Sequence, residues 1–196
     1  IALTATATPT VQNDIAQQLG LRQDRRHIHG FRRTNIAIEA AELSPRLRPA
    51  AVRKVLEGED RLPAIVYAPT RKKTEALAAA LSDKFSAEPY HAGLSTEQRD
   101  RCQAAFIAGE LQVVVATIAF GMGIDKANLR TVIHAALPGS VESYYQEIGR
   151  AGRDGKPSRA VLLYSYADRR THEFFLQRDY PEPEQLAHLF EMLDES

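Results

Sequence analysis

The stretch Val113-Val114-Val115-Ala116-Thr117-Ile118-Ala119-Phe120-Gly121-Met122-Gly123-Ile124-Asp125 decides the fold of this chain. Its first four residues form an uninterrupted apolar run, which is typical of a strand buried on both faces of a parallel sheet. The strand opens into a loop with two glycines and a carboxylate. Loop amides and the Thr117 hydroxyl can hold a phosphate there, and Asp125 can accept a hydrogen bond from a ribose hydroxyl. A plain turn between a strand and a helix is the alternative interpretation.

Apolar runs and helical patterns alternate on both sides of this strand. The helices are predicted from Thr70 to Lys84, with Thr70 as the N-cap, and from Thr96 to Ala108, where Ser95 and Gln98 have the spacing of a capping box. The alternation predicts an α/β fold, a parallel sheet with helices on both faces, and ligand binding outside the carboxyl ends of the strands. The other predicted strands are Ala64–Tyr67, Ala87–His91, Thr131–His134 and Ala160–Tyr164.

The two ends of the chain have a different character. A helical pattern near the start ends at Gly20, a residue type favoured just after a helix. The polar stretch from Arg22 to Arg33 then predicts a connection between two lobes. Near the other end, the segments Asp168 to Arg178 and Glu184 to Leu193 predict two helices that prolines separate.

Composition and charge exclude several classes of protein. Hydrophobic residues make up 44% of the 196 residues, enough for a buried core, and no apolar run reaches the roughly 20 residues of a membrane span. Cys102 is the single cysteine, which excludes an intrachain disulfide and a four-cysteine zinc site within this chain. Residues 1–160 carry 22 basic and 17 acidic side chains and residues 161–196 carry 3 and 8, which permits a polyanionic partner. The chain begins at Ile1 without a signal-peptide pattern, and we expect it to be a fragment of a longer protein.

The segment Tyr144-Tyr145-Gln146-Glu147-Ile148-Gly149-Arg150-Ala151-Gly152-Arg153-Asp154-Gly155 carries the most specific chemistry. If it is helical, Gln146, Arg150 and Arg153 project from one face at positions i, i+4 and i+7. Two arginines on a face of small residues suit a polyphosphate, because guanidinium groups make planar, permanently charged contacts. A solvated, arginine-rich helix is the alternative interpretation.

Two further segments place polar groups after predicted strands. Thr70 and Arg71 follow the predicted strand that ends at Tyr67. The turn His91-Ala92-Gly93-Leu94 comes at the end of the predicted strand that begins at Ala87. Free amides at the start of a helix, with an arginine beside them, can bind a phosphate of a nucleic acid. Ordinary capped helices are the alternative for both segments.

In their order along the chain and in their residues, these segments resemble the motifs of the C-terminal motor lobe of a superfamily-two helicase of the RecQ type. Leu3 to Ala7 resembles motif III, Tyr67 to Arg71 resembles motif IV, and Gln146 to Gly155 resembles motif VI. The turn at His91 and the segment Thr117 to Asp125 resemble the motifs between them. DEAD-box RNA helicases typically show Arg-Gly-Ile-Asp in the motif that corresponds to Thr117–Asp125 and His-Arg-Ile-Gly-Arg-Thr-Gly-Arg in motif VI. The residues of this chain at both motifs differ from these and favour the RecQ type.

The resemblance implies a RecA-like parallel sheet and ATP-driven, 3′ to 5′ unwinding of DNA in recombination and repair. It implies four parts: the end of the first lobe (1–30), a linker (31–36), the second lobe (37–180) and an acidic helical extension (181–196). The expected roles are an arginine finger for Arg153 with Arg150 beside it, and positioning of water or the γ-phosphate for Gln146. Nucleotide contacts are expected from Gly121, Gly123 and Asp125, DNA-backbone contacts from Thr70, Arg71, His91, Gly93 and Thr117, and coupling of lobe closure to DNA from Thr4 and Thr6.

The same resemblance sets the expected ligands and partners. The family's Walker A loop and Asp-Glu-x-His metal motif are not in this sequence, so ATP and Mg²⁺ are expected to bind mainly to the first lobe and the fragment alone is expected to be inactive. No zinc and no membrane are expected, and the partners are single-stranded and forked DNA and the first lobe. The expected location is the cytoplasm or nucleoid of a bacterium, or a eukaryotic nucleus. Another superfamily-two motor, such as an RNA helicase, and a degenerate nucleic-acid-binding module remain as alternatives.

Overall fold

A wholly parallel sheet organises the chain in the computed structural model, which describes residues 2, 7–21, 26–27, 33–120 and 124–170. The sheet has six strands within these residues, in the order β1-β6-β5-β2-β4-β3. In register, Ala64 of β2 lies between Val113 of β4 and Thr131 of β5. The parallel sheet that the sequence predicts is therefore confirmed. The strands are β1 (Ile36–Glu42), β2 (Ala64–Tyr67), β3 (Ala87–Tyr90), β4 (Val113–Ala116), β5 (Thr131–His134) and β6 (Ser158–Tyr164).

The helices begin and end where local capping chemistry allows. The Thr70 side chain accepts a hydrogen bond from the Lys73 amide, and Ser95 and Gln98 form the predicted capping box. Gly109 ends the second of these helices with φ of 86°, a left-handed conformation that glycine adopts without strain. The helices are α1 (Pro9–Gln18), α2 (Arg48–Leu56), α3 (Arg71–Leu81), α4 (Thr96–Ala108) and α5 (Val141–Ile148), with a 3₁₀ helix at Pro45–Leu47.

Helices cover both faces of the sheet, as predicted. On one face α2 and α3 pack Val52, Leu56 and Leu81 against alternate residues of the central strands. On the other face α4 and α5 pack Phe106 and Ile148 against the intervening residues. Each fully buried aliphatic or aromatic side chain stabilises the fold by roughly 1.5–3 kcal/mol, so the buried central strands supply most of the core.

The predicted helix from Tyr144 to Gly155 is wrong beyond its first half. The helix α5 ends at Ile148, and a series of turns follows up to the start of β6. Gly149 is the C-cap and Gly152 has a φ of 57°, which an α-helix does not allow. Arg150 and Arg153 therefore lie in a turn rather than on one helical face with Gln146.

The structure adds two elements that the sequence pattern did not reveal, β1 and α2. Strand β1 lies at the edge of the sheet, and six of its seven residues are exposed. A strand without a buried alternation carries little signal in its sequence. Three bounds also differ slightly: α3 ends at Leu81 rather than Lys84, β3 ends at Tyr90 rather than His91, and β6 begins at Ser158 rather than Ala160.

The N-terminal helix pattern is confirmed by α1, after which Gly20 has the left-handed φ of 61°. None of the α1 residues is buried. Residues 166–170 are helical, in agreement with the start of the predicted C-terminal helix, but its remainder and the second acidic helix lie outside the described residues. No helix in the described part of the chain is long and apolar enough to cross a membrane.

Candidate functional site

The carboxyl ends of β2, β4 and β3 bring together one group of predicted site residues. Thr70, His91 and Thr117 each follow one of these three neighbouring strands. Arg71 lies against the His91 turn, since a Cβ atom at Gly93 would lie 3.2 Å from Arg71 Nη1. Five residues from three separate segments of sequence therefore form one polar edge, which we call the strand-end cluster: Thr70, Arg71, His91, Gly93 and Thr117.

His91 is buried and hydrogen-bonded to the turn of this cluster. Its ring is buried, with 3% of the residue exposed. The Gly93 amide donates a hydrogen bond to Nδ1 at 3.2 Å, so the proton of the neutral ring is on Nε2, which lies 3.0 Å from Glu75 Oε1. His91 thus orients the Gly93 amide and links the turn to α3.

A second group joins the segments around Asp125 and Arg153. Arg153 Nη1 donates to Asp125 Oδ1 at 2.9 Å and lies 3.4 Å from the Ile124 carbonyl oxygen. The Asp125 side chain is 84% exposed and the Arg153 side chain 38%. An ion pair this exposed contributes little to stability. The Arg153 guanidinium lies near the surface, so a bound anion could replace the Asp125 carboxylate as its partner.

Arg150 lies deeper, beside the hydroxyl of Tyr67 at the end of β2. That hydroxyl donates to the Phe120 carbonyl oxygen at 3.0 Å. Burial raises the pKa of Tyr67 well above its ordinary value, while the charge of Arg150 and its hydrogen bond with Tyr67 act in the opposite direction. Tyr67 therefore connects three segments: its own strand, the turn after β4 that includes Phe120, and the turn after α5. We call Asp125, Arg150, Arg153 and Tyr67 the arginine cluster.

A buried pair fixes α5 against the sheet near this cluster. His134 Nε2 lies 2.5 Å from Glu147 Oε2, and both residues are buried. The His134 ring stacks on Tyr67 with ring centres 5.0 Å apart, and Tyr144 packs edge-on against its other side at 5.0 Å. Tyr67, His134 and Glu147 had no predicted role in the site. A polar or aromatic residue at the last position of a buried strand is the signal that could have found Tyr67 and His134, whereas Glu147 lies in α5 and has no such signal.

The two clusters differ in their place on the sheet. The strand-end cluster lies at the carboxyl ends, where ligand binding was predicted. The turn of the arginine cluster is anchored near the amino ends, because the Gly152 amide donates to the Leu129 carbonyl oxygen just before β5, at 2.8 Å. The strand-end cluster thus lies at the edge where ligand binding was predicted, and the arginine cluster extends from Tyr67 at that edge towards the amino ends of the strands.

The remaining predicted site residues fall in several places. Gln146 is exposed on the last turn of α5. The predicted nucleotide contacts Gly121 and Gly123, and the predicted coupling residues Thr4 and Thr6, lie outside the described residues. Within the part of the chain that the structure describes, no group of three or more His, Cys, Asp or Glu side chains is placed to hold a metal ion. Cys102 is buried in α4, and burial raises the pKa of its thiol to about 12.

Comparison with known proteins gives the family context of these clusters. The helicase conserved C-terminal domain matches residues 48–155, which contain every described residue of both clusters. The chain is 46% identical over 169 residues to the ATP-dependent DNA helicase RecQ of Pasteurella multocida, covering 86% of this chain and 26% of that protein. It is 40% identical over 198 residues to the ATP-dependent DNA helicase RecQ of Bacillus subtilis, covering 99% of this chain and 33% of that protein. The chain thus spans a third or less of the length of these two relatives.

A solved structure supports the same assignment. A DEAD box protein from the hyperthermophile Methanococcus jannaschii superposes with a TM-score of 0.66 and 27% identity, covering 88% of this chain and 47% of that one. This similarity confirms the RecA-like fold that the motifs implied. The relatives confirm the resemblance to RecQ-type helicases.

Proposed function

Because the chain belongs to the helicase conserved C-terminal domain family, we propose that it is the second motor lobe of a longer, RecQ-type ATP-dependent DNA helicase. In this proposal residues 37–180 form the lobe, residues 1–30 end the first lobe, residues 31–36 link the two, and residues 181–196 extend beyond it. The whole protein hydrolyses ATP and unwinds DNA in the 3′ to 5′ direction. Its place is the compartment that holds the chromosome, which is the nucleoid region or the nucleus.

The observation that carries the proposal is the arginine cluster. Arg153 is held at the surface by an exposed carboxylate, and Arg150 is held by a buried hydroxyl. An arginine at a surface can stabilise charge on a transferring phosphoryl group that a neighbouring lobe presents, and such fingers raise rates by about 10³–10⁵ in related enzymes. Arg153 is the proposed finger, Arg150 the second phosphate contact, and Gln146 the residue that positions water or the γ-phosphate.

Asp125 has a defined place in this mechanism. Its carboxylate accepts from Arg153 in the structure, so a nucleotide phosphate that attracts Arg153 releases Asp125. We propose that Asp125 couples the state of the nucleotide to the preceding segment of sequence, in which Gly121 and Gly123 are the proposed nucleotide contacts. The alternative role for Asp125, accepting a hydrogen bond from a ribose hydroxyl, does not require this release, because a carboxylate has acceptor sites on both oxygens.

The strand-end cluster is the proposed DNA-backbone site. The Arg71 guanidinium and the hydroxyls of Thr70 and Thr117 can donate hydrogen bonds to phosphate oxygens. The Gly93 amide already donates to His91 Nδ1, so it would have to exchange that bond for one to a phosphate. The neighbouring Lys72 and Lys73 are exposed on the first turn of α3, and such cations strengthen backbone binding without reading sequence. In this proposal His91 acts through the turn, and Thr4 and Thr6 couple DNA movement to lobe closure.

ATP and Mg²⁺ are proposed to bind mainly to the first lobe. The described residues offer no cluster of metal ligands, and Asp125, a carboxylate of the site, is engaged by Arg153. When bound, Mg²⁺ would neutralise charge on the β- and γ-phosphates. This lobe supplies cations instead, so the isolated chain is expected not to hydrolyse ATP.

The test compares nucleic acids as activators of the full-length polypeptide that contains this lobe. ATP hydrolysis is measured with single-stranded DNA and with RNA of matching sequence, and strand separation is measured on forked DNA. The proposal predicts stronger stimulation by DNA and ATP-dependent unwinding of the fork. Stronger stimulation by RNA would favour another superfamily-two motor. Activity that Arg150→Ala and Arg153→Ala both leave unchanged would favour a degenerate binding module.

A further inference from the structure

The residues just before β1 hold the turn that carries the two arginines. Arg33 Nη2 donates to the Gly152 carbonyl oxygen at 2.7 Å and to the Ala151 carbonyl oxygen at 3.4 Å. Arg33 Nη1 donates to the Gly149 carbonyl oxygen at 3.4 Å. One guanidinium therefore contacts three carbonyl groups of the turn between Ile148 and Arg153.

Asn35 adds a second hold on the same turn. Its Nδ2 donates to the Gly152 carbonyl oxygen at 2.8 Å and to the Lys156 carbonyl oxygen at 3.0 Å. Its own carbonyl oxygen accepts from the Ser158 amide at 2.8 Å, as β1 and β6 begin to pair. The Gly152 carbonyl thus accepts from two side chains, and a Cβ at Gly152 would lie 2.5 Å from Asn35 Nδ2.

We propose that Arg33 and Asn35 are positioning residues, which set the place of Arg150 and Arg153 according to the course of the chain that enters β1. The carbonyl oxygens that accept from Arg33 belong to Gly149, Ala151 and Gly152, so they flank Arg150 and immediately precede Arg153 in the chain. If the chain that leads into β1 shifts, the side chains of Arg33 and Asn35 move with it. The turn is expected to move as well, because its carbonyl oxygens are hydrogen-bonded to these two side chains. This inference rests on the proposed function, in which residues 31–36 link the lobes.

A purely structural role is the competing explanation. The last carbonyls of a helix lack partners within the helix, and a cation near them is stabilising. Arg33 could serve α5 in that way alone. The two explanations differ in kinetics, because a positioning residue acts through Arg153, whereas a cap alters stability only.

The test uses single and double variants of the full-length polypeptide. Arg33→Ala removes the three contacts, and Asn35→Asp replaces the Nδ2 donor by an acceptor of the same shape. Arg46→Ala is the matched control, since Arg46 is an exposed arginine of the 3₁₀ helix outside both clusters. DNA-stimulated ATP turnover, the KM for ATP and the thermal midpoint are measured for each variant and for Arg153→Ala.

We expect Arg33→Ala and Asn35→Asp to lower turnover by about 10- to 100-fold, since a displacement of about 1 Å in a catalytic group has an effect of that size. The KM for ATP should stay near that of Arg46→Ala, and the fall in thermal midpoint caused by the lost hydrogen bonds should be too small to account for the loss of turnover. The Arg33→Ala/Arg153→Ala double variant should be no slower than Arg153→Ala, because residues that act through one another are not additive.

Three results would overturn the inference: unchanged turnover in both variants, a change in thermal midpoint that accounts for the loss, or full additivity with Arg153→Ala. The proposed function fails in a different way. If Arg153→Ala itself leaves turnover unchanged, the role of the arginine cluster is wrong. If Arg153→Ala is slow and Arg33→Ala is normal, only the positioning role is wrong.

Discussion

Gly152 is confined both by its backbone and by its neighbours. Its φ of 57° disfavours a side chain, and a Cβ would lie 2.5 Å from Asn35 Nδ2 and 2.6 Å from Ser158 Oγ. Gly155 has a φ of 80° but open space around it. The two glycines therefore separate the effect of conformation from the effect of crowding within one turn.

We predict that Gly155→Ala lowers the free energy of unfolding by about 1–2 kcal/mol, the effect of a left-handed conformation on a residue with a Cβ. Gly152→Ala should lower the free energy of unfolding by about 1–3 kcal/mol more than Gly155→Ala does, because Asn35 and Ser158 must move apart. Urea unfolding of both variants measures the difference. Equal values for the two variants would show that the contacts of Gly152 are not tight.

Asp154 gives a prediction for pH at the same turn. Arg130 Nη2 lies 2.6 Å from both oxygens of its carboxylate. This hydrogen-bonded pair holds the pKa of Asp154 below its ordinary value of 3.8. The folded protein then binds fewer protons than the unfolded chain, so the contribution of Asp154 is present above pH ~4 and is lost as the pH falls through its lower, folded pKa.

Asp154→Asn should therefore make unfolding less sensitive to pH below ~4. The measurement is the urea midpoint of the natural protein and the variant from neutral to acid pH, and the curves should converge at acid pH. Parallel curves across the whole range would contradict the coupling of Asp154 to Arg130.

At the scale of elements, Arg48 ties the start of α2 to the ends of two strands. It is buried, donates to the Ala135 carbonyl oxygen at 2.7 Å and to Ser165 Oγ at 2.8 Å, and makes two bonds to the Asp168 carboxylate. Arg53 makes a similar two-bond pair with Asp83, but the Asp83 side chain is 62% exposed. The two pairs differ mainly in burial.

We predict that Asp168→Asn lowers the free energy of unfolding by about 3 kcal/mol, because it leaves the Arg48 charge buried without an anion. Asp83→Asn is the matched control and should leave stability nearly unchanged, since exposed ion pairs contribute little. Chemical unfolding of the two variants tests this. A loss in Asp83→Asn as large as that in Asp168→Asn would show that burial does not decide the strength of these pairs.

The elements also show what the sequence can predict. Strands β2 and β4 were predicted with their bounds because each is an apolar run buried on both faces. Strand β5 was predicted from a β-branched run that ends in His134 and is also buried throughout. Helix α4 was predicted because its capping box and its terminal glycine are local signals. Strand β1 was missed because it is an exposed edge, and its register depends on β6, far away in the sequence.

The site was predicted in part for the same reason. The strand-end cluster follows from topology, since polar residues after neighbouring parallel strands must meet. The helix through Arg150 and Arg153 was wrong although the i, i+4, i+7 spacing fits, because Arg33 bonds to Gly152 from 119 residues away. The Tyr67–Arg150 contact and the His134–Glu147 pair likewise depend on tertiary packing.

At the scale of the whole molecule, the described residues form two groups of side chains for which we propose contacts with phosphates. The strand-end cluster lies at the carboxyl ends of β2, β4 and β3, and the turn of the arginine cluster is anchored near the amino ends of β5 and β6. Tyr67 spans the two, because it ends β2 and its hydroxyl reaches Arg150. In the proposed motor the first group would contact DNA and the second the nucleotide, and Tyr67 would lie between them.

The central claim is that this lobe completes an ATP site formed with the first lobe. The most direct measurement is DNA-stimulated ATP turnover of the full-length polypeptide, with Arg153→Ala compared with the natural protein and nucleotide affinity measured alongside. Arg46→Ala, which removes an exposed arginine of the 3₁₀ helix outside both clusters, serves as the control. The account predicts a loss of about 100-fold or more with near-normal nucleotide affinity for Arg153→Ala. Unchanged turnover in Arg153→Ala would contradict it.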